Sequence, residues 1–165
     1  MFKFNRHQLI FGIYLIILVA IAQYVADYLK LPAWPAYMAM IFFFVEHTNP
    51  QKAPHILVGG VAGVAAIMLF APVIGFLAPY IGAEAAKIAL IMALVYAIVA
   101  FGDTLPIIFN SYAFMFITVS GLALEAPEPN PYLWMAIVAI GGALLIGGVI
   151  GINKLMGAPP AALAD

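Results

Sequence analysis

Apolar residues dominate six stretches of this chain, and polar or proline-containing connections separate them. The stretches cover residues 8–29, 33–47, 55–80, 84–101, 104–124 and 132–156. Most approach the roughly 20 residues that an α-helix needs to cross a bilayer. Barrel strands alternate polar and apolar positions over about ten residues, whereas these stretches are continuously apolar. The pattern therefore predicts an all-α polytopic membrane protein with about six transmembrane helices.

Two of the predicted spans depart from a plain helix. The segment 33–47 is short, so we expect it not to cross the bilayer as a lone straight helix. The third stretch contains Pro72, Gly75 and Pro79, which predict a kink or a break near Pro72.

The composition indicates that lipid is the outer solvent. Apolar residues make up 67% of the 165 residues, charged residues 8%, and the mean hydropathy is +1.14. A soluble domain carries about a quarter charged residues, so there is no room for a soluble catalytic domain. Six Lys and Arg against seven Asp and Glu argue against nucleic acid as a partner. We expect one helical domain over residues 1–157, without an internal repeat, and a frayed tail over residues 158–165.

Basic residues near the predicted span ends indicate the orientation, because Lys and Arg are retained on the cytoplasmic side. With the amino terminus inside, the cytoplasmic set is Lys3, Arg6, Lys52 and Lys154, and the outer set is Lys30 and Lys87. We therefore expect a multi-pass protein with both termini cytoplasmic.

Polar positions at membrane depth carry the functional signal, since each costs free energy unless it is paired or wetted. On a continuous helix over 104–124, one face gathers polar, small and aromatic positions. These are Thr104, Ser111 and Thr118 on one line, with Asp103, Asn110 and Phe114 beside it. We expect this face to turn toward protein or a cavity, and Phe116 to turn away. One interpretation is that these side chains form local, structural hydrogen bonds. The other is that they line a solute path, in which Asn110 contacts the solute and Phe114 forms a constriction.

Other polar residues near span ends are candidates for a gate or for coupling. Gln23 and Asp27 lie one helical turn apart, so both can face one partner. Glu46, His47 and, across a proline-bounded turn, His55 form the only Glu/His concentration. A solvated loop is the first interpretation of this cluster. A proton-sensitive gate is the alternative and ranks above a metal site, because His can change charge near neutral pH. No metal site is predicted, because no i, i+4 His pair exists.

Motifs of the common enzyme classes are missing from the sequence. It has no cysteine, no phosphate-binding loop and no nucleophile elbow. We therefore expect no cofactor and no enzymatic activity. Glycines at helix-packing spacing, Gly59 with Gly63 and Gly147 with Gly151, predict close packing within the chain or at a subunit interface.

A set of aromatic, proline and glycine landmarks runs in a fixed order from about residue 20 to residue 156. They are Leu31, Trp34 and Tyr37, then Leu77, Ala78 and Pro79, then Pro106, Phe109, Phe116 and Gly121, and last Gly147 and Gly151. This order resembles the small bacterial inner-membrane proteins of the YcdZ type, a family without an assigned function. The longer connection at 125–131 and the lack of cysteine depart from that family. The resemblance implies a compact fold in the bacterial inner membrane and names no substrate.

The first functional hypothesis is a small channel or facilitative transporter for a small, mostly uncharged polar solute. Few charges lie within the predicted spans, which disfavours a strongly ionic substrate. Six short spans leave little room for a pore in one subunit, so we expect a homo-oligomer surrounded by membrane lipid. The alternative is a non-transporting scaffold or accessory subunit. A large lipid-facing groove of small residues without an aqueous cavity would favour that alternative.

Overall fold

The computed structural model describes residues 6–157, and helices account for most of them. They are α1 (Arg6–Tyr28), α2 (Trp34–Val45), α3 (Ala53–Ile67), α4 (Phe70–Ile81), α5 (Ala83–Phe101), α6 (Ser111–Ala123), α7 (Pro131–Ala136) and α8 (Gly142–Leu155). A 3-10 turn, Pro50–Lys52, precedes α3, and a π-helical turn, Ile137–Gly141, joins α7 to α8. The described range contains no strand, and the predicted all-α class is confirmed. Lys3 and the predicted frayed tail, residues 158–165, lie outside it.

Four helical segments are long and apolar enough to cross a membrane, and two are shorter. The long ones are Arg6–Tyr28, Pro50–Ile81, Ala83–Phe101 and Pro131–Leu155. The short ones are α2, with 12 residues, and α6, with 13. At 1.5 Å per residue each short helix is roughly 18 to 20 Å long, against a hydrocarbon core of about 30 Å. The protein is a multi-pass membrane protein, and the predicted shortness of the second span is confirmed.

The predicted interruption of the third span lies between α3 and α4. Met68 and Leu69 form a turn there, four residues before Pro72. A helix running straight through would need the backbone nitrogen of Pro72 to donate to the carbonyl of Met68. Proline has no such hydrogen, so the helical ladder is interrupted at that point.

The predicted fifth span is wrong at its start. Residues 102–110 form turns, and α6 begins only at Ser111. Pro106 explains the difference, because proline disfavours helical geometry at the preceding Leu105 and cannot donate to a carbonyl four residues back. Asp103 and Thr104 therefore lie in turns rather than on the face of a helix.

Contacts between helix ends fix the directions of the helices. The ring of Phe11 near the start of α1 meets Phe44 at the end of α2, with centroids 6.3 Å apart. Asn153 near the end of α8 bonds to Thr48, just after α2. Asn110 at the start of α6 bonds to His55 at the start of α3. We call this end of the bundle, where α2 ends and α3 begins, the junction end.

The helices form two halves that run in opposite directions. The first half, α1 to α3, starts at the junction end, and the second half, α5 to α8, starts at the opposite end, with α4 joining them. Each half contains a long helix, a short helix and then a glycine-rich helix. The short helix of each half packs on the last helix of the other, α2 on α8 and α6 on α3. The two halves therefore have the same order of long, short and glycine-rich helices and run in opposite directions.

A faint sequence signal accompanies this common order of helices. The pattern Val-Ala, four residues, Leu-Pro occurs at residues 25–32 and again at 99–106, before each short helix. Tyr37 follows the first Leu-Pro pair by five residues and Tyr112 follows the second by six, so the two tyrosines are out of register by one residue. The expectation that the chain has no internal repeat stays a prediction, beside this correspondence in the order of elements. Apolar residues are so common here that a few matching positions do not stand out from the background.

Both halves contribute to one apolar core. Phe43, Ile56, Phe116 and Val138 are completely buried and come from α2, α3, α6 and the π-helical turn. Gly63 lets α3 approach α6, because a Cβ there would lie 2.4 Å from the carbonyl oxygen of Ala113.

Glycine packing within the chain is confirmed for the first predicted pair and not for the second. A Cβ on Gly59 or Gly63 would meet α6 or the Asn110 side chain just before it, whereas one on Gly147 or Gly151 would meet nothing within 4 Å.

Candidate functional site

Asn110 is the N-cap of α6 and holds the irregular segment before it. Its Oδ1 accepts from the backbone nitrogen of Ala113 at 2.9 Å. Its Nδ2 donates to the carbonyls of Pro106 at 2.9 Å, Ile107 at 3.2 Å and His55 on α3 at 3.2 Å. An amide nitrogen has only two hydrogens, so these three carbonyls use its full donor capacity. The predicted mid-helix position of Asn110 is wrong, and the side chain anchors a helix start.

Two further hydrogen bonds join the halves at the junction end. The hydroxyl of Tyr112 on α6 donates to the carboxylate of Glu46, which caps the end of α2. The amide of Asn153 on α8 donates to the hydroxyl of Thr48 at 3.1 Å. We call this cluster the polar junction, consisting of Glu46, Thr48, His55, Asn110, Tyr112 and Asn153.

The backbone of the polar junction is strained where the chain leaves α2. His47 and Thr48 have φ of 52° and 59°, in the left-handed region. A β-branched residue such as Thr rarely adopts this conformation. Backbone bonds from His47 to Phe44 and from Thr48 to Phe43, both 2.9 Å, hold the turn in place. Strain of this kind persists only where surrounding contacts enforce it, and it is common at switch regions.

The three predicted Glu/His residues have different environments. The Glu46 carboxylate bonds to Tyr112, whereas the His47 side chain is exposed. The Nδ1 atom of His55 is buried and has no hydrogen-bond partner among the described residues. Within residues 6–157, no group of three or more His, Cys, Asp or Glu is arranged to hold a metal ion.

A crevice lies where the two halves meet, at the end of the bundle opposite the polar junction. Its volume is about 420 Å³, and its walls come from residues 18–29 in and just after α1, residues 31–37, and residues 133–145 from α7 to the start of α8. The π-helical turn lies in this wall and supplies Ile137, Ile140 and Gly141. Tyr37 is the one lining side chain that carries a polar atom. The crevice is therefore an almost wholly hydrocarbon space between the halves.

Gln23 and Asp27 bond to each other, and of the two Gln23 also bonds to Tyr37. The Nε2 of Gln23 donates to Asp27 at 2.8 Å, and its Oε1 accepts from the Tyr37 hydroxyl at 2.9 Å. This chain of bonds ties α1 to α2 within the first half. Tyr37 thus forms part of the crevice wall while its hydroxyl is held by Gln23.

The structure turns three of the predicted solute-path residues of the fifth span to the outer surface of the subunit. Ser111, Phe114 and Thr118 are exposed on the outer surface of α6, and the Thr118 hydroxyl bonds to its own helix at Phe114. Ala113 and Phe116 are buried instead, against α3. The predicted orientation is wrong because the helical phase was counted through residues 104–110, which are not helical. The bond from Thr118 to Phe114 agrees with the interpretation that these hydroxyls form local, structural bonds.

A family model for a protein of unknown function, DUF1097, matches residues 12–158. The chain belongs to the DUF1097 family. No curated protein and no solved structure matches it. Membership in an uncharacterised family agrees with the sequence resemblance, and the narrower likeness to the YcdZ type stays a prediction.

A second groove of this DUF1097 protein lies between α3, α5 and α6. It measures about 410 Å³, and α3 lines it with Ala62, Ala65 and Ala66. Leu94 and Ile98 of α5 form the facing wall. No charged side chain lines it.

Sequence reasoning missed Thr48, Tyr112 and Asn153, which complete the polar junction. Their contacts span 66 residues for Tyr112 and 105 for Asn153, so no local spacing reveals them. Aligning the Leu-Pro pairs at 31–32 and 105–106 places Ser111, not Tyr112, opposite Tyr37, so the similarity of the halves does not reveal these contacts.

Proposed function

We propose that this DUF1097 protein is a facilitative transporter for a small, mostly uncharged solute, and that its two halves rock against each other. The observation that carries the proposal is the crevice between two oppositely directed halves, which lies at the end of the bundle opposite a hydrogen-bonded junction. Transporters built from inverted repeats bind substrate at the repeat interface, often near short helices in corresponding positions. Helices α2 and α6 have that relation.

The crevice lining indicates the chemistry of the solute. Its walls are hydrocarbon apart from Tyr37. A charged solute would lose its hydration without gaining a partner there, which costs far more free energy than burying an apolar group. The solute therefore has a mainly apolar body, a revision of the polar solute expected from the sequence.

Basic residues support an orientation for this transporter. Arg6, Lys52 and Lys154 lie at the junction end, whereas Lys30 and Lys87 lie at the opposite end. From the positive-inside rule we propose that the junction end is cytoplasmic. The bacterial inner membrane is the location that the resemblance to YcdZ-type proteins implies.

Homo-oligomerisation is the second part of the proposal. Helix α4 buries no residue, and α5 buries only Ala86 and Leu90. This hairpin leaves a broad apolar surface for lipid or for a second copy. Native mass spectrometry from detergent measures the subunit number, and a strictly monomeric protein would contradict this part.

Flux into proteoliposomes tests the transport function. The panel contains neutral solutes of graded apolarity, together with one weak acid and one inorganic ion. Ala136→Phe places a large side chain in the crevice, and we expect it to block flux of the accepted solute. Ala139→Phe is the matched control, because Ala139 lies on the same helix, is exposed and does not line the crevice. Absence of protein-dependent flux for the whole panel, or equal flux in both variants, would overturn the proposal.

A non-transporting accessory subunit is the second candidate. The groove formed by Ala62, Ala65 and Ala66 favours it, since small residues let a partner helix approach closely. If this function holds, Ala65→Phe releases a co-purifying membrane partner from the native complex, whereas Ala136→Phe does not.

A further inference from the structure

We infer that the polar junction is the closed gate of this transporter, and that the Tyr112–Glu46 hydrogen bond is the contact that holds it shut. The inference rests on the proposed function and assigns the moving contact within it. When the crevice at the opposite end closes, the halves separate at the junction end.

The first argument is connectivity. Three side-chain bonds of the polar junction join one half to the other: Tyr112 to Glu46, Asn153 to Thr48, and Asn110 to the His55 carbonyl. By contrast, the Gln23–Tyr37 bond at the opposite end lies within the first half. Rocking of the halves therefore strains the junction bonds first and leaves the Tyr37 bond intact.

The second argument is chemistry. A seal of hydroxyl, carboxylate and amide groups can exchange its internal bonds for bonds to water, so its opening has a small net cost. At the opposite end the halves meet through the rings of Trp34 and Trp134, whose centroids are 5.5 Å apart. An apolar contact of this kind gains nothing from wetting.

The third argument is the backbone strain near the end of α2 and the buried side-chain nitrogen of His55 in the closed state. His47 and Thr48 lie in the left-handed region, where the turn bonds and the Asn153 contact hold them. The buried Nδ1 of His55 lacks a hydrogen-bond partner among residues 6–157 and would gain one from water on opening. Both features favour an open alternative and oppose a permanently closed structure.

The absence of cysteine makes the gate directly testable. Ile56, completely buried one residue beyond His55, is replaced by Cys as a reporter in protein reconstituted into nanodiscs. A water-soluble maleimide then measures how often the junction opens. Tyr112→Phe removes the donor, and we expect it to raise the labelling rate severalfold. Tyr96→Phe is the matched control, since Tyr96 is 73% exposed on α5, and we expect no change.

Variants of Glu46 separate the hydrogen bond from the charge. Glu46→Gln keeps an oxygen that accepts from Tyr112, so labelling stays near the wild-type rate. Glu46→Ala removes the acceptor, so labelling rises as in Tyr112→Phe. Equal labelling of wild type, Tyr112→Phe and Glu46→Ala overturns the gate.

A second measurement covers the case in which Tyr112→Phe does not fold. A protein with Thr48→Cys and Asn153→Cys is bridged by a cleavable bifunctional thiol reagent, which locks the junction. We expect solute flux to stop in the bridged protein and to return when the bridge is cleaved. Undiminished flux in the bridged protein overturns the gate. Flux that is absent even in the wild type overturns the proposed function instead, and the labelling rates, which need no solute, distinguish the two failures.

Discussion

Replacing Asn110 tests whether this side chain anchors α6 or contacts a solute. Asn110→Leu fills a similar volume but removes the N-cap bond to Ala113 and the donors to the His55, Pro106 and Ile107 carbonyls. Losing an N-cap costs about 1 kcal/mol and a membrane interhelix hydrogen bond about 0.6 kcal/mol. With a further backbone carbonyl left unbonded, we expect Asn110→Leu to lower the free energy of unfolding by about 2 to 3 kcal/mol.

Asn110→Ser is the matched variant, because serine caps a helix as well as asparagine but cannot reach the three carbonyls. We expect it to cost about 1 kcal/mol less than Asn110→Leu. The assay is unfolding by SDS in mixed micelles, followed by the fluorescence of the two tryptophans, which contact each other in the folded protein.

Gly59 supplies the decisive control. A Cβ on Gly59 would lie 2.4 to 2.9 Å from the amide atoms of Asn110, which four hydrogen bonds hold in position. Gly59→Ala should therefore cost about 1 to 3 kcal/mol alone, and much less in the Asn110→Ser background. Additive costs, or an Asn110→Leu protein as stable as wild type, would refute the anchoring role.

Two further predictions concern the packing of α6 and α8. Gly63→Ala, whose Cβ would lie 2.4 Å from a backbone carbonyl oxygen, should lower the free energy of unfolding, whereas Gly147→Ala, with nothing within 4 Å, should raise it by up to about 1 kcal/mol through helix propensity. The same SDS titration measures both, and a reversed order would contradict the α3–α6 contact. Thr118→Val should change stability by less than about 0.5 kcal/mol, because Thr118 is exposed and bonds only within its helix. A larger loss would indicate that this face packs in the assembled protein.

Hydropathy predicts six passes because the penalty for burying polar groups in lipid is large and local. The shortness of the second span and the break before Pro72 follow from chain length and from the missing proline hydrogen, which are also local properties. These features could therefore be predicted from the sequence without any knowledge of tertiary contacts.

The side of α6 that faces the core could not be predicted from the sequence, for a physical reason. In a soluble protein the apolar face of a helix marks the core, but a membrane helix is apolar on both its core and its lipid faces. The small size of Ala113 opposite Gly63, rather than any polarity difference, decides which side of α6 is buried. Pairing of Tyr112 with Glu46 is likewise a consequence of fold, since 66 residues separate them.

Distances between spin labels across each end of the bundle test the rocking of the two halves most directly. One doubly labelled protein carries Val25→Cys and Leu144→Cys across the crevice, both exposed positions in its walls. The other carries His47→Cys and Lys154→Cys across the junction end, also exposed. We expect two distance populations for each pair, with the accepted solute or Tyr112→Phe shifting them in opposite directions at the two ends. A single unchanging distance at both ends would contradict the account.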